Sequence, residues 1–351
     1  MATNTTDNGS IPCMMQEAWP EGPTYWDFLR YNRLIVLSVL GIPVCVVGIV
    51  TSGLSICMFS QDKTTPRTTR KILIVLSVVD VLYLLLSLLI FQPMTFCGPE
   101  CALQLPLLAA IIVPLGNILE CFRNWLNVLI GVERFLVISF SVRSKVLWTG
   151  RITNVLLVAF FGFSILVRLP VISFIVINKV RPELSDVKAW VAQMHSFTDA
   201  ILVFLVPLLS LMFCSVQIAR ALRQSDHFRR KQPEQKIFAQ TEVNEESSAC
   251  NNARRIKLTR GLLMVIVTFT LFMLPLSLLQ VLSLLILRQP TCVCMVTLQA
   301  CSYVVALGCQ INSTANFFVY ILYWGKYRRM LKRMLCYQYA KQTLSLKRRA
   351  Y

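Results

Sequence analysis

The chain has 351 residues, of which 56% are hydrophobic and only 15% are charged. A soluble globular protein has about 45–50% apolar and about 25% charged residues, so these charged residues are too few to cover a soluble surface. The composition also excludes a disordered chain, a collagen and a small disulfide scaffold. We therefore expect a protein that crosses a membrane several times.

Seven apolar segments are each long enough to cross the ~30 Å hydrocarbon core of a bilayer as a helix. In chain order they are Leu34–Phe59, Ile72–Phe91, Leu103–Ser139, Ile152–Ile177, Phe197–Leu222, Leu258–Leu287 and Cys292–Tyr323. The sequence shows no internal repeat of the kind that many transporters are built from. The predicted fold is an all-α bundle of seven transmembrane helices, followed by a short amphipathic eighth helix.

The net charge of +18 is distributed unevenly between the connections. Most Lys and Arg residues lie in the connections after odd-numbered segments and in the C-terminal tail, so the positive-inside rule predicts an extracellular N-terminus and a cytoplasmic tail. The charge then indicates topology and attraction to anionic lipid rather than nucleic-acid binding. The predicted regions are an N-terminus (1–31), a seven-span domain (32–324) with a flexible third cytoplasmic loop (223–253), and a tail with the eighth helix (325–351).

Several residues outside the spans are candidates for modification. Asn4 and Asn8 begin Asn-X-Ser/Thr sequences in the polar N-terminus and are candidate glycosylation sites. Five cysteines are expected outside, where an oxidising environment favours disulfides: Cys13, Cys97, Cys101, Cys292 and Cys294. Cys97 and Cys101 are close enough to pair, and Cys13 could then pair with Cys292 or Cys294. Cys336 follows a basic segment and is either a palmitoylation site or an ordinary reduced thiol.

Ionisable residues inside the predicted spans are costly in lipid and usually functional. They include Asp80 in the second span, Arg168 near the outer end of the fourth, and four residues of the third: Glu120, Arg123, Glu133 and Arg134. Glu120, Arg123, Asn124, Asn127 and Arg134 recur at helical spacing, which predicts a polar stripe that faces the bundle.

No enzyme signature is present, because the chain has only two histidines, at positions 195 and 227, and no phosphate-binding loop. We therefore expect neither catalysis nor a cofactor nor a metal site.

Short motifs occur in five of the seven predicted spans and directly after the seventh span. They are Leu76–Asp80 in the second span, Glu133–Phe135 at the end of the third, Pro207 and Pro275 in the fifth and sixth, Asn312–Tyr320 in the seventh, and Tyr323–Arg329 after it. In this order, and over about Arg33 to Cys336, they resemble the motifs of rhodopsin-like (family A) G-protein-coupled receptors. The resemblance implies a receptor in the plasma membrane.

The chain departs from that family's pattern at several positions. Ser52 replaces the first-span Asn, Ser215 the fifth-span Tyr, Met273 the sixth-span Trp and Phe317 the seventh-span Pro. There is no cysteine between Gly150 and Phe213, so the family's usual disulfide to the second outer loop is not expected. The chain resembles a divergent member, similar in its Arg-Asn-Trp and Glu-Arg-Phe runs to invertebrate FMRFamide-type receptors. Nematode-type chemosensory receptors are an alternative.

The resemblance implies an activation switch made of Glu133, Arg134, Asp80, Arg123, Asn316, Tyr320, Pro275 and Met273. Glu133 would hold Arg134 at rest and release it toward the G-protein, although Arg134 could also simply reach lipid headgroups. Arg123 occupies the position of a small residue that helps Asp80 to hold sodium in this family. We expect Arg123 to exclude sodium and to pair directly with Asp80, either as part of the switch or as a static salt bridge.

The resemblance also implies where the partners bind. The predicted ligand pocket includes Glu120, Gln280 and Leu276, and the predicted G-protein contacts are Arg134, Arg254, Arg255 and Lys257. We expect an extracellular ligand, a neuropeptide above all, and a heterotrimeric G-protein as partners, with membrane lipids around the bundle. The alternatives are a chemosensory receptor, a transporter or channel, and a receptor fold that does not signal.

Overall fold

The computed structural model describes residues 25–96, 105–139, 148–170, 172–173, 185–231, 263–264, 266–275, 277–279 and 292–334. All regular secondary structure in these ranges is helical. Long apolar helices agree with the predicted membrane bundle. Five of them, within the described residues, are long and apolar enough to cross a membrane.

The described helices are numbered α1 to α8 in chain order. Helix α1 runs without interruption through Tyr25–Arg33, a π-helical segment at Leu34–Leu40, and Gly41–Gln61. Helices α2, α3 and α4 are Arg67–Phe96, Leu105–Ser139 and Gly150–Val167. Helix α5 joins Ser185–Thr198, a π-helical segment at Asp199–Leu205, and Val206–Lys231. Helix α6 comprises Ile266–Leu279 without position 276, α7 is Cys292–Tyr323, and α8 is formed by residues 325–334.

The helix ends differ from the predicted segments where the flanking residues are polar. Helix α7 has the predicted bounds Cys292–Tyr323. Helix α5 instead begins at Ser185 and continues to Lys231, into the range predicted as the third cytoplasmic loop. Hydropathy marks the part of a helix that lies in lipid, whereas the helix itself continues until its hydrogen bonds are interrupted.

Both π-helical segments lie just before a proline. Pro43 follows the segment in α1, and Pro207 follows the segment in α5. Proline lacks the N–H that would bond four residues back, and its ring crowds that turn, so a widened turn relieves the clash. In α5 Pro207 cannot donate to the Val203 carbonyl four residues back, and this carbonyl accepts a hydrogen bond from Asn124 Nδ2 of α3 at 3.0 Å. The sequence thus places a side-chain donor, Asn124 of α3, opposite the turn of α5 that Pro207 interrupts.

Helix α3 lies at the centre of the described bundle, where it packs against α2, α4 and α5. Helix α1 packs against α2 and α7, and the contact is close because Gly48 has no side chain. A Cβ at Gly48 would overlap the side chains of Thr314 and Leu84. The Thr314 hydroxyl also donates to the Val44 carbonyl at 3.2 Å, which joins α7 to α1.

Candidate functional site

Most of the polar stripe of α3 is buried, as its helical spacing predicts, and Glu120 is the partly exposed member. Arg123, Asn124 and Asn127 are at most 2% exposed, and so are Glu133 and Arg134 at the end of the helix. Three groups of contacts surround the charged residues on or near α3. We name them the Glu133 cluster, the Arg123 cluster and the Arg168 cluster.

The Glu133 cluster joins the end of α3 to the start of α2. The Glu133 carboxylate accepts hydrogen bonds from the hydroxyls of Thr68 at 2.9 Å and Thr69 at 2.8 Å. Arg134 Nη2 lies 3.4 Å from Glu133 Oε2, and it also donates to the Thr69 hydroxyl. The arginine is therefore held inside the bundle by its neighbouring carboxylate and by one threonine of α2.

The Arg123 cluster lies deeper in the bundle and joins α3 to α7. Arg123 is fully buried, and its Nη1 donates to the Cys309 carbonyl at 2.9 Å and to the Ser313 hydroxyl. Its guanidinium carbon lies 5.0 Å from the ring centre of Tyr83, which is a cation–π contact. A backbone carbonyl, a hydroxyl and an aromatic face are its partners.

Asp80 and Arg123 are both described by the structure, and they do not form the predicted direct ion pair. The Asp80 carboxylate instead accepts a hydrogen bond from Asn316 Nδ2 at 3.0 Å. Ser313 and Asn316 are three residues apart on one face of α7, so this helix contacts the cation through one residue and the carboxylate through the other.

Several polar atoms of this cluster have no hydrogen-bond partner among the described residues. They are Asp80 Oδ1 and the Nε and Nη2 atoms of Arg123. Buried polar atoms usually have a hydrogen-bond partner, and an unpaired charge is costly. A small rearrangement of α3 against α7 would therefore change the free energy of the bundle at this cluster.

The Arg168 cluster joins α3, α4 and α5. Arg168, just after the end of α4, is 1% exposed, and its Nε donates to the Asn117 carbonyl at 3.0 Å. Its guanidinium forms an ion pair with Asp199, and its Nη2 lies 4.0 Å from Glu120 Oε2. His195, one turn before Asp199 on α5, places its Nε2 3.6 Å from Asp199 Oδ2.

Glu120 connects the Arg168 cluster to the Arg123 cluster. Its Oε1 accepts a hydrogen bond from the Cys309 thiol at 3.0 Å, and the Cys309 carbonyl accepts from Arg123. The side chains of Glu120 and Asp199 are 13% and 15% exposed, whereas that of Arg168 is 1% exposed. The two carboxylates are therefore more accessible than the arginine that they contact.

Sequence reasoning identifies Glu120 and Arg168 but misses Asp199 and Cys309. Asp199 lies within the predicted fifth span, and an acidic residue in an apolar segment is a usable signal. Nothing in the sequence marks the Cys309 thiol as a donor to Glu120. The pairing depends on how α3 and α7 pack.

The remaining predicted switch residues lie in separate places. Met273 is 1% exposed and packs in the apolar core with Leu211 and Phe269, while Pro275 on the same helix is exposed. Tyr320 is 1% exposed, and its ring stacks on Trp324 with 5.5 Å between centroids.

Most of the other predicted sites lie outside the described residues or side chains. They are Gln280, Leu276, Arg254, Arg255, Lys257, Asn4, Asn8, Cys13, Cys97, Cys101 and Cys336. Cys292 and Cys294 lie at the start of α7.

Comparison with known families gives one match. Residues 54–320, most of the chain, match the family model of the seven-transmembrane receptors of the rhodopsin family. No curated protein sequence matches the chain. The matched range contains Asp80, the three clusters and the Asn312–Tyr320 motif, and the family consists of receptors rather than enzymes. The chain therefore belongs to the rhodopsin family of seven-transmembrane receptors.

Proposed function

We propose that the protein binds an extracellular peptide, as a neuropeptide receptor does, and activates a heterotrimeric G-protein. The observation that carries this proposal is the Glu133 cluster, in which a buried Arg134 is held by Glu133 and Thr69. A buried ion pair at a helix end is a local interaction that can bias a two-state bundle. Its opening would free a cation for a partner protein.

The proposed G-protein surface lies at the α2–α3 end that carries this cluster. Movement of α3 away from Thr69 would remove one of the two groups that hold Arg134 inside the bundle. Arg254, Arg255 and Lys257, in the chain before α6, would add positive charge to the same surface. A G-protein contact there would favour the open state because it binds only that state.

The proposed ligand site lies at the Arg168 cluster, whose α3 residues Asn117 and Glu120 are near the middle of that helix and precede the Glu133 cluster in the chain. Glu120 is the residue through which a bound ligand would act on the rest of the bundle, because it accepts a hydrogen bond from Cys309 of α7. Cys309, Ser313, Asn316 and Tyr320 recur at helical spacing along α7. Pulling Glu120 toward a ligand would thus shift the helix that contacts Arg123, Asp80 and Trp324.

The test of the function is a peptide library screened on cells that express the chain, with nucleotide exchange on a panel of G-proteins as the readout. The proposal expects at least one peptide to stimulate exchange in proportion to surface expression. A solute flux that follows expression, without exchange on any G-protein, would instead support a transporter.

A substitution at Glu120 tests the ligand site. We expect Glu120→Gln to lower the potency of an activating peptide about tenfold, because hydrogen bonds to a charged group are worth about 1.5–3 kcal/mol. Surface expression and basal exchange are measured in parallel, and potency is compared at equal surface expression. Glu120→Asp, which keeps the charge, is the matched control and should lose less potency. Equal potency in all three receptors would exclude Glu120 from the ligand site.

The proposed orientation has its own test. An epitope inserted between Thr241 and Ser248 should be detected only after the cells are permeabilised, whereas an N-terminal epitope should be detected on intact cells. Treatment with a glycosidase should increase the gel mobility of the wild type but not of a variant with Asn4→Gln and Asn8→Gln. An epitope in the 241–248 range that antibodies reach from outside would reverse the topology.

A further inference from the structure

A buried carboxylate organises the connection between α1 and α2. Asp62 is 1% exposed and accepts hydrogen bonds from the backbone N of Thr64 at 2.7 Å, the Thr64 hydroxyl at 2.8 Å and the Thr65 hydroxyl at 2.6 Å. Its own carbonyl accepts from Arg70 Nη1 of α2 at 2.8 Å. An aspartate that bonds to the backbone two residues ahead is a common way to stabilise a turn.

Two more donors to Asp62 come from α8, at the other end of the chain. The Tyr327 hydroxyl donates to Asp62 Oδ2 at 2.9 Å, and the Lys326 ammonium forms an ion pair with Asp62 Oδ1. Lys326 also donates to the Thr64 hydroxyl. We call these four residues (Asp62, Thr64, Lys326 and Tyr327) the Asp62 latch.

The Asp62 carboxylate is charged despite its burial. Burial alone raises the pKa of Asp62, but the hydrogen bonds from Lys326, Thr65 and Thr64 together lower it well below its ordinary value. Burial raises the pKa of Tyr327, so its hydroxyl remains a donor at neutral pH. Hydrogen bonds between charged partners are among the strongest in proteins. The latch therefore attaches α8 to the α1–α2 connection through a buried, charged carboxylate.

Aromatic contacts connect the latch to Tyr320 of α7. The ring of Phe59 lies edge-on to Tyr327 at 5.3 Å and to Tyr320 at 5.1 Å between centroids. Trp324 stacks on Tyr320 at 5.5 Å and lies 4.9 Å from Tyr327. Phe59 and Trp324 thus contact both Tyr320 of α7 and Tyr327 of the latch.

We propose that the Asp62 latch is a positioning device that holds α8, and through Phe59 and Trp324 the ring of Tyr320, in the resting arrangement. The structure shows the latch closed while Arg134 is still bound to Glu133. The proposal rests on the proposed signalling function, because its consequence is a bias against G-protein activation. Asp62 acts through Tyr327 and is not itself a contact for ligand or G-protein.

A simpler interpretation is that Asp62 only stabilises the turn between α1 and α2. The donors of Thr64 and Thr65 are sufficient for that role, and they are close to Asp62 in the chain. The two interpretations differ in the contribution of α8. A useful experiment therefore removes the α8 donors and leaves Asp62 and its turn intact.

The double variant Lys326→Met with Tyr327→Phe removes both α8 donors and keeps the side-chain sizes. We expect basal nucleotide exchange to rise about fivefold at equal surface expression, in the range typical of coupling between two sites. Lys332→Met is the matched control, since Lys332 is an exposed lysine of the same helix, and it should keep wild-type basal exchange. Lys326→Arg keeps the charge and should also stay near wild type.

A distance measurement separates the latch from the signalling function. Spin labels on unnatural amino acids at Lys63 and Arg329, both exposed, report the separation between the α1–α2 connection and α8. We expect a single narrow distance distribution in the wild type and a broader, longer one in the double variant. If the wild type stimulated nucleotide exchange on no G-protein, the proposed function would be contradicted. The label distances would still test whether the latch holds α8.

Two results would overturn the latch itself. An unchanged distance distribution in the double variant would show that Lys326 and Tyr327 do not hold α8. A broadened distribution with unchanged basal exchange, in a receptor that otherwise responds to agonist, would show that α8 is held but that its position does not control activation.

Discussion

Replacing Glu133 with Gln should raise ligand-independent nucleotide exchange about tenfold, which corresponds to about 1.4 kcal/mol in the balance between resting and active states. The amide keeps the shape of Glu133 but loses the charge that holds Arg134 at 3.4 Å. The guanidinium would then be a buried cation without a counterion, and it would gain more from moving toward water or a G-protein. Exchange assays on membranes with matched receptor amounts measure the effect.

Two further variants control the Glu133 prediction. Glu133→Asp keeps the charge and should give a smaller rise in basal exchange than Glu133→Gln. Thr69→Val removes the hydroxyl that bonds to both Glu133 and Arg134, so it should shift the balance in the same direction. If Glu133→Gln reached the surface normally and its basal exchange equalled that of the wild type, Arg134 would not be restrained by this carboxylate.

The buried stripe of α3 could be predicted from sequence because it depends only on the helical period. Charged and amide side chains three or four residues apart share one face, and in lipid that face must turn inward. Glu133 and Arg134 are neighbours in the chain, so their proximity was also predictable. Thr69 as their common partner was not, because it depends on how closely the start of α2 approaches the end of α3.

Contacts between distant helices could not be predicted in the same way. The sequence shows that Arg123 and Asp80 are charged and near mid-span, and attraction between opposite charges favoured a direct pair. In the structure a backbone carbonyl and a hydroxyl of α7 take the Arg123 donors instead. Every residue has a carbonyl, so no residue type marks Cys309 as the acceptor.

The contacts of Asp62, in the connection after α1, show a related limit of prediction from sequence. The bonds of Asp62 to Thr64 and Thr65 join residues two and three positions apart, so they depend only on the local chain. Its bonds to Lys326 and Tyr327 join segments that are far apart in the chain, and they form only because α8 folds back across the end of α1.

Replacing Arg168 with Met should cost about 3–5 kcal/mol in the free energy of unfolding, because it removes one partner of a buried ion pair. It leaves Asp199 without its arginine partner and Glu120 without the guanidinium at 4.0 Å. Two carboxylates would then face each other with little solvent and no cation from α4. We expect loss of most surface expression and a lower melting temperature in detergent.

A double-mutant cycle with Asp199→Asn shows whether this loss comes from the ion pair. Asp199→Asn alone should cost less than Arg168→Met, because the guanidinium keeps Glu120 and the Asn117 carbonyl as partners. The double variant should be more stable than the sum of the single effects predicts, by about 0.5–3 kcal/mol. His195→Gln is the control, since its side chain is 28% exposed and should contribute little. Strictly additive losses in the two single variants would mean that Arg168 stabilises the bundle through Asn117 and Glu120 rather than through Asp199.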